Sequence, residues 1–187
     1  MQRFLSVLFG LLLSQCVWHA CWERHGLKYF VGGDVEALAS PNAGAGRNSL
    51  YLRHTFHVPT RPGLGWIELL GNGSVTLYVN GNLVTQSGAD SYDVASVVDI
   101  ATYLRSGKNV IAIKTDSGGT ANLPFFAERQ RLVSVQGAYD DGGRKRIINA
   151  SNGWRSCNAP VLRGHWWFET EFDDRDWLYA RRVSAYI

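Results

Sequence analysis

The chain has 187 residues, of which 45% are hydrophobic and 19% are charged, and its formal net charge is +3. This length and apolar fraction suit one domain with a substantial core, and 20 glycines beside 7 Trp, 8 Tyr and 8 Phe favour an all-β protein with many turns. The small, dispersed charge argues against nucleic-acid binding, because the only dense basic run, Arg144-Lys145-Arg146, is typical of a solvated turn edge.

Residues 1–16 have the composition of a secretory signal peptide. Arg3 supplies the positive charge at the start, and residues 4–13 form an apolar segment that is too short to span a bilayer. Small residues at the two positions that a signal peptidase reads predict cleavage after Cys16, with Ala20 as a later alternative. The four residues that end at Cys16 also resemble a bacterial lipobox, which would make that cysteine a lipid anchor. We therefore predict a secreted, extracellular protein without a membrane span.

Cys21 and Cys157 remain after this cleavage. In an oxidising compartment they predict one disulfide, and two unpaired thiols are the alternative. Asn72 and Asn149 each begin an Asn-x-Ser sequon and would accept glycans in a eukaryotic source. These features fit an extracellular glycoprotein.

Residues 17–49 are predicted to hold a short first strand near Leu27 to Val31, followed by a turn-rich loop over residues 32–49. The main β-domain is predicted over residues 50–187. It begins with Tyr51–Val58, whose alternating apolar and polar side chains are typical of a half-buried strand.

Two Asn-Gly pairs, Asn72-Gly73 and Asn80-Gly81, lie eight residues apart between apolar runs. Because Asn-Gly is the preferred pair for a two-residue type I′ turn, the pattern predicts a meander of three antiparallel strands over residues 66–86. The second turn also predicts the register, with Val79 opposite Asn82, Tyr78 opposite Leu83 and Leu77 opposite Val84. We expect one face of the middle strand to point into the core: Val75, Leu77 and Val79.

The next segments continue this alternation of strands and turns. Asp99–Leu104 predicts a helix of one to two turns, and Asn109–Thr115 is a β-branched, buried strand. Strand character returns over Leu123–Val135, and Asp140–Gly143 predicts a turn before a strand at Arg144–Ile148. Short strands at this spacing predict an antiparallel β-sandwich or jelly roll with one short helix.

The C-terminal part, residues 151–180, combines four tryptophans with many charged side chains. Sugars are bound by an aromatic plane under their C–H face and by planar polar groups that take their hydroxyls. The alternative is that the tryptophans plug the core, which we favour for Trp177. If the segment is extended, only one of two adjacent tryptophans can face the core. The predicted ligand-binding residues are Trp154, Arg155, Trp166, Trp167 and Glu169.

Catalysis has little support in the sequence. Glu169 and Glu171 would share a strand face at about the separation of a glycosidase pair, but neighbouring carboxylates on an exposed strand are usually solvated. No serine-hydrolase elbow, phosphate-binding loop or zinc-protease motif occurs. We therefore predict a protein that is not an enzyme and has no cofactor, with a structural calcium ion held by Asp side chains and loop carbonyls as an alternative.

Several motifs together resemble a known family. The strand YLRHTFHV, the hairpin LYVNGNLV and the segment DIATYLRSGKNVIAIKT occur in this order, followed by NASNGWRS and FDDRDW. This ordered set closely resembles the galactose-binding-domain-like jelly roll that accompanies the catalytic domain in glycoside hydrolases of the β-galactosidase and α-rhamnosidase types. The resemblance covers about residues 50–180 and implies a β-sandwich and carbohydrate binding. The catalytic barrel of those hydrolases has no counterpart in this chain.

The sequence thus predicts a secreted, non-catalytic carbohydrate-binding β-sandwich with a glycan or glycoprotein as its partner. The alternative is a structural extracellular or matrix protein that uses the jelly roll for protein contacts. A less favoured alternative is an accessory fragment of a glycoside hydrolase.

Overall fold

The computed structural model describes residues 35–41, 49–71, 73–87, 96–116, 131–161 and 164–185. These residues belong to one unit of the chain that begins at Asp34. The predicted first strand near Leu27 to Val31 lies outside them. The described strands are β1 (Val35–Ala39), β2 (Ser49–Val58), β3 (Gly65–Gly71), β4 (Ser74–Val79), β5 (Asn82–Gln86), β6 (Ser96–Asp99), β7 (Gly107–Asp116), β8 (Leu132–Asp141), β9 (Arg144–Asn149), β10 (Arg155–Cys157), β11 (Leu178–Tyr179) and β12 (Arg181–Ala185).

The strands form two antiparallel sheets, which confirms the predicted β-sandwich. Sheet I has the order β12-β1-β8-β3-β6, and β9 pairs with the second half of β8. Sheet II has the order β11-β10-β2-β7-β4-β5. The predicted short helix is a single 3-10 turn, Ala101–Tyr103, and no helix in the described part of the chain is long and apolar enough to cross a membrane.

The core lies between the two sheets. Val75, Leu77 and Val79 point into it from sheet II, as predicted. Ile67 and Leu69 point into it from sheet I. Alternation of side chains along each strand therefore leaves every second residue on an outer face.

The predicted three-stranded meander is wrong, because β3 and β4 belong to different sheets. Only the second Asn-Gly pair forms a hairpin, and the chain crosses from sheet I to sheet II between Gly71 and Ser74. Glycine is needed at Gly73 for close packing: a Cβ there would lie 2.1 Å from the carbonyl oxygen of Asp116. Asn72 itself lies outside the described residues.

The hairpin between β4 and β5 has the predicted turn. Asn80 and Gly81 have φ values of 51° and 86°, the left-handed backbone that a type I′ turn requires. Val79 pairs with Asn82 and Tyr78 with Leu83, as predicted. An irregularity after Leu77 then shifts the register by one residue, so that Leu77 pairs with Thr85 and not with Val84.

A strand also occurs where a loop was predicted over residues 32–49. β1 pairs with both β12 and β8, and its Ala37, Leu38 and Ala39 are buried. Ala and Glu have low strand propensity, so the sequence of this segment gives no local signal and its pairing with distant strands decides the conformation. The strands predicted at Tyr51–Val58 and Asn109–Thr115 are confirmed within β2 and β7.

The predicted turn after Asp140 is also confirmed. Gly142 and Gly143 have positive φ values and connect β8 to β9. The Gly143 amide donates a hydrogen bond to Asp140 Oδ1 across this turn. Residues 117–130, with the first part of the strand predicted over Leu123–Val135, lie outside the description.

Candidate functional site

The outer face of sheet II is covered by residues 164–177, here called the covering segment, which contains turns but no strand or helix among its described residues. Arg53 on β2 is 1% exposed beneath it. Its Nε donates to Asp174 Oδ2 at 2.9 Å, and its other nitrogens donate to three carbonyl oxygens of the segment, those of Trp167, Glu169 and Phe172. A guanidinium with five fixed donors thus satisfies backbone groups that no strand partner satisfies.

Apolar side chains fill the space beneath the covering segment. Trp167, Phe172 and Trp177 pack on Val110 and Ala112 of β7 and form a second, smaller core. Trp177 is 7% exposed, so its predicted burial is confirmed. Its predicted place is wrong, because it packs on the outer face of sheet II and does not plug the core between the sheets.

Three aromatic rings form a stack at the edge of this second core. The ring of Phe168 is parallel to that of Tyr78 within 8° at a centroid separation of 4.3 Å, and parallel to that of Trp166 within 6° at 6.0 Å. Trp166 is 55% exposed, whereas Phe168 is half-buried. The stack therefore holds a large, exposed indole against the partly buried ring of Phe168.

Polar side chains lie beside the exposed indole. Glu169 Oε2 accepts a hydrogen bond from the Trp166 amide at 3.2 Å and lies 3.2 Å from His165 Nδ1. Both Glu169 and His165 are partly exposed. The arrangement places a carboxylate and an imidazole next to an open aromatic surface.

The Asn-Gly turn of the β4–β5 hairpin supports this arrangement. The Gly81 amide donates to the Phe168 carbonyl at 3.1 Å, and a Cβ on Gly81 would come within 3.8 Å of Glu169 Cγ. Tyr78, one residue before Val79 in the same hairpin, supplies the innermost ring of the stack. We call Trp166, Phe168, Tyr78, His165 and Glu169 the aromatic surface.

Of the predicted ligand-binding residues, the structure brings together only Trp166 and Glu169 at the surface. Trp154 is 1% exposed in the main core, where its indole nitrogen donates to the Asn149 carbonyl, and Trp167 is 7% exposed. Their burial removes both from contact with a ligand in solvent, which corrects the prediction for these two residues.

Arg155 lies apart from the aromatic surface. The register aligns it with Arg53, Ala112 and Tyr78 on successive strands, which puts it about 14 Å from Tyr78 at the usual strand spacing. Its guanidinium stacks 4.0 Å from the ring centre of Tyr179 and donates to the Trp177 carbonyl. Arg155 therefore belongs to the opposite edge of sheet II, and its predicted role in the same ligand site is not supported by this placement.

Glu169 and Glu171 do not share a strand, contrary to the geometry predicted for a glycosidase pair. The Thr170 hydroxyl lies within hydrogen-bond distance of both Glu171 carboxylate oxygens and lowers the pKa of that carboxyl. A general acid in glycoside hydrolysis needs a raised pKa. The arrangement thus gives Glu171 the opposite of the property that an acid catalyst requires.

The remaining predicted sites are described in part. Cys157 is half-buried and forms no disulfide within the described part of the chain, and burial raises the pKa of its thiol to about 11. Its predicted partner Cys21 lies outside that part, so the disulfide stays a prediction. The side chain of Asn149 accepts hydrogen bonds from Ser151, the last residue of its sequon. Among the residues described, no three His, Cys, Asp or Glu side chains gather as metal ligands, and calcium binding also stays a prediction.

Arg53 was not singled out by the sequence analysis, and neither were Phe168, His165 and Tyr78 of the aromatic surface. The alternating pattern of β2 already puts Arg53 on the face opposite to Leu52. The available signal was a charged residue in a strand, directly after the apolar run Leu50-Tyr51-Leu52. The sequence could not predict the partners of Arg53, because they lie more than 110 positions later in the chain.

Comparison with protein-family models and with curated proteins returns no match. Solved structures do match. An α-L-rhamnosidase from Streptomyces avermitilis, solved with L-rhamnose, has a TM-score of 0.66 and 17% identity, over 81% of this chain and 14% of that chain. A Pleurotus ostreatus lectin, solved with GalNAc, has a TM-score of 0.61 and 13% identity, over 82% of this chain and 44% of that chain.

A family GH78 rhamnosidase of Bacillus sp. GL1 also matches, with a TM-score of 0.58 and 21% identity over 82% of this chain and 19% of that chain. The chain therefore spans less than half the length of each of these three proteins. At these identities the similarity shows the fold, and it confirms that this chain has the β-sandwich that the motifs indicated.

Proposed function

We propose that this protein is a carbohydrate-binding β-sandwich and that a glycan binds on the aromatic surface. The observation that carries the proposal is the position of Trp166, which is 55% exposed and is held in a parallel stack with Phe168 and Tyr78. The stack thus presents a large indole face to solvent, where a ligand can reach it.

The chemistry next to Trp166 suits a sugar. The C–H face of a pyranose packs on an aromatic ring, and the hydroxyls at its rim need partners in the plane of the sugar. Glu169 accepts hydrogen bonds and His165 can donate or accept them. Both side chains remain partly exposed, so they can exchange water for sugar hydroxyls.

The structural comparisons support the same class of ligand. The matching rhamnosidase was solved with L-rhamnose and the matching lectin with GalNAc. These ligands belong to those proteins, and the fold is common to proteins of many functions. The identity of this chain's ligand therefore depends on the residues of its own aromatic surface.

A glycan array probed with the mature protein tests the proposal. We expect binding to at least one glycan class, and we expect Trp166→Ala to lower the affinity by about tenfold or more, the loss of about 1.4 kcal/mol of contact energy. The matched control is Trp66→Ala, because Trp66 is a 39% exposed tryptophan on the outer face of sheet I. Absence of binding to every glycan, or equal loss in both variants, would contradict the proposal.

We further propose that binding occurs without catalysis and outside the cell, as the sequence predicts. The first part is supported because Glu169 and Glu171 do not share a strand face, and the signal-like composition of residues 1–16 supports the second. Release of new reducing ends from a bound glycan would overturn the first part. The second part predicts secreted protein whose N-terminus begins at residue 17, or at residue 21 for the later cleavage.

A second candidate function, protein contact in an extracellular assembly, is favoured by the outer face of sheet I. Ile147 and Trp66 lie in one row across β9, β8 and β3, and Val97 lies in the next row on β6. All three are exposed apolar side chains. Self-association that is removed by Trp66→Ser and is indifferent to sugar would favour this candidate, whereas a monomer at all concentrations would exclude it.

A further inference from the structure

A polar cluster lies on the outer face of sheet II. It lies near the C-terminal end of β7, after Ala112, the residue that pairs with Tyr78. Lys114 Nζ is 2.7 Å from Asp116 Oδ2, and the Ser49 hydroxyl donates to Asp116 Oδ1 at 2.5 Å. The side chains of Lys114 and Asp116 are 31% and 34% exposed. We call Lys114, Asp116 and Ser49 the polar cluster.

Aromatic rings border the polar cluster. Lys114 Nζ lies 5.7 Å from the ring centre of Tyr51, with which Lys114 is paired in the sheet. Tyr51 and Tyr78 both contact the edge of Trp167, at centroid separations of 4.9 and 5.6 Å. The polar cluster is therefore continuous with the aromatic surface through Tyr78.

The polar cluster has no net charge. The hydrogen bond to Asp116 raises the pKa of Lys114, so the ammonium stays charged beside a carboxylate. The other strand positions in the same two rows of the sheet carry uncharged side chains: Ser74, Tyr51, Thr76, Cys157 and Gln86. An anionic ligand group that approached Lys114 would also be repelled by the charge of Asp116, whose Oδ2 lies 2.7 Å from Lys114 Nζ.

Neutral ligands with paired hydroxyls suit this chemistry. Each carboxylate oxygen can accept two hydrogen bonds, and within the described ranges each oxygen of Asp116 has one polar partner, so each can accept one more hydrogen bond. An ammonium has three donors and can share one with Asp116 while it donates to a ligand hydroxyl. Two adjacent hydroxyls of a pyranose would find one acceptor and one donor side by side.

We infer that the polar cluster is a second sugar subsite, which binds the vicinal diol of a neutral pyranose and discriminates against uronic acids. The inference rests on the proposed carbohydrate binding. Centroid separations of 6.0 and 4.3 Å place Trp166 within about 10 Å of Tyr78, and Lys114 lies two residues along β7 from Ala112, the partner of Tyr78. One sugar on Trp166 and a second at the polar cluster therefore belong to one oligosaccharide lying across Tyr78.

The test compares neutral oligosaccharides that are long enough to lie across Tyr78 with their uronic acid counterparts, such as galactotetraose with tetragalacturonate and mannotetraose with tetramannuronate, printed as pairs on one array. We expect the wild-type protein to prefer the neutral member of a bound pair by at least about fivefold. Asp116→Asn removes the carboxylate charge and keeps the shape, so it should lower neutral binding and shift the preference toward the acidic member by about tenfold. Lys114→Gln should weaken neutral binding without this shift.

The matched control is Arg146→Gln, which removes a cation from an ion pair with Asp141 on sheet I and should leave the preference unchanged. Thermal unfolding of each variant checks that the fold is intact. If Trp166→Ala abolishes binding while Asp116→Asn and Lys114→Gln change neither affinity nor preference, the subsite is refuted and the proposed function stands. A wild-type preference for uronic acids also refutes the subsite, and absence of all glycan binding refutes both.

Discussion

Arg53 connects the covering segment to sheet II at the scale of a single residue. Its side chain is fully buried, its Nε pairs with Asp174, and its guanidinium lies 5.2 Å from the ring centre of Phe172. The carbonyl oxygens that it binds belong to an irregular segment, which has no neighbouring strand to satisfy them. Arg53 thus satisfies carbonyl groups of the covering segment, as cross-strand hydrogen bonds satisfy those of a strand.

Replacement of Arg53 tests this role. Arg53→Met keeps most of the apolar volume but removes the donor to Asp174 and to the carbonyl oxygens of Trp167 and Phe172. The Glu169 carbonyl keeps the Phe172 amide as a donor. We therefore expect a loss of about 2 to 4 kcal/mol in the free energy of unfolding. Urea unfolding measures it. Arg146→Met, at a pair whose arginine is 54% exposed, should lose no more than about 1 kcal/mol. Equal effects of the two substitutions would show that Arg53 does not hold the segment.

His54 predicts how stability depends on pH. It is largely buried between Phe56 and Trp154, and burial lowers its pKa from 6.5 to about 4. Between these pH values the unfolded chain binds a proton that the folded chain does not, so stability is lost as the pH falls from about 6.5 to about 4. The loss from this residue is at most about 3 kcal/mol.

The difference between wild type and His54→Phe isolates this contribution, because the carboxyl groups titrate in both proteins. Unfolding free energies measured from pH 7 to pH 4 should fall more steeply for wild type than for the variant. His57→Gln, at an exposed position of the same strand, should retain the steep wild-type slope. If the unfolding free energies of wild type and His54→Phe changed equally with pH, the burial of a neutral imidazole would be contradicted.

At the scale of an element, the Asn-Gly turn links the hairpin to two other parts of the domain. Asn80 Nδ2 donates to Asn109 Oδ1 at 2.7 Å and to the Tyr103 carbonyl at 2.9 Å, and Asn80 Oδ1 accepts from the Val110 amide. The side chain of Asn109 is fully buried in this network. The motifs YVNG and GKNVIA are therefore parts of one hydrogen-bonded unit, which explains why they occur together in the sequence.

Gly81 gives this element a testable connection to binding. Gly81→Ala forces a side chain into φ of 86° and should cost about 1 to 2 kcal/mol of stability. The same strain loosens the amide that holds the Phe168 carbonyl, so we also expect weaker glycan binding. Gly143→Ala imposes similar strain at φ of 83° in the β8–β9 turn and should lower stability alone. Unchanged glycan affinity in Gly81→Ala would show that the turn does not position the aromatic surface.

At the scale of the whole molecule, the outer faces of the two sheets differ. The covering segment lies on sheet II and presents Trp166, while the outer face of sheet I carries exposed apolar side chains such as Trp66 and Ile147. We assign glycan binding to the first face and keep protein contact as the alternative for the second.

The sequence predicts those parts of the fold that depend on neighbouring residues. The turn at Asn80-Gly81 and the alternation of β2 follow from local chemistry, and both are confirmed. The assignment of β3 and β4 to different sheets, and the pairing of β1 with β12, depend on contacts between distant segments. No local pattern encodes such contacts.

The candidate site also has features that the local sequence predicts and features that depend on distant contacts. The composition of the C-terminal part correctly indicated an unusual aromatic region, and Trp166 with Glu169 are found together at the surface. Which tryptophans are buried depends on residues far away in the chain: Trp167 packs on β7, and Trp154 packs in the main core against His54. The sequence therefore could not separate these two tryptophans from Trp166. The third and innermost ring of the stack, Tyr78, comes from the hairpin.

The most direct test of glycan binding on the aromatic surface observes the indole groups themselves. In the ¹⁵N-labelled protein, the indole N–H signals of Trp166 and Trp66 are assigned with the Trp→Ala variants and followed while an array-selected glycan is added. The account predicts a saturable shift of the Trp166 signal with the Trp66 signal unchanged. Saturation that shifts Trp66 and leaves Trp166 in place would contradict it.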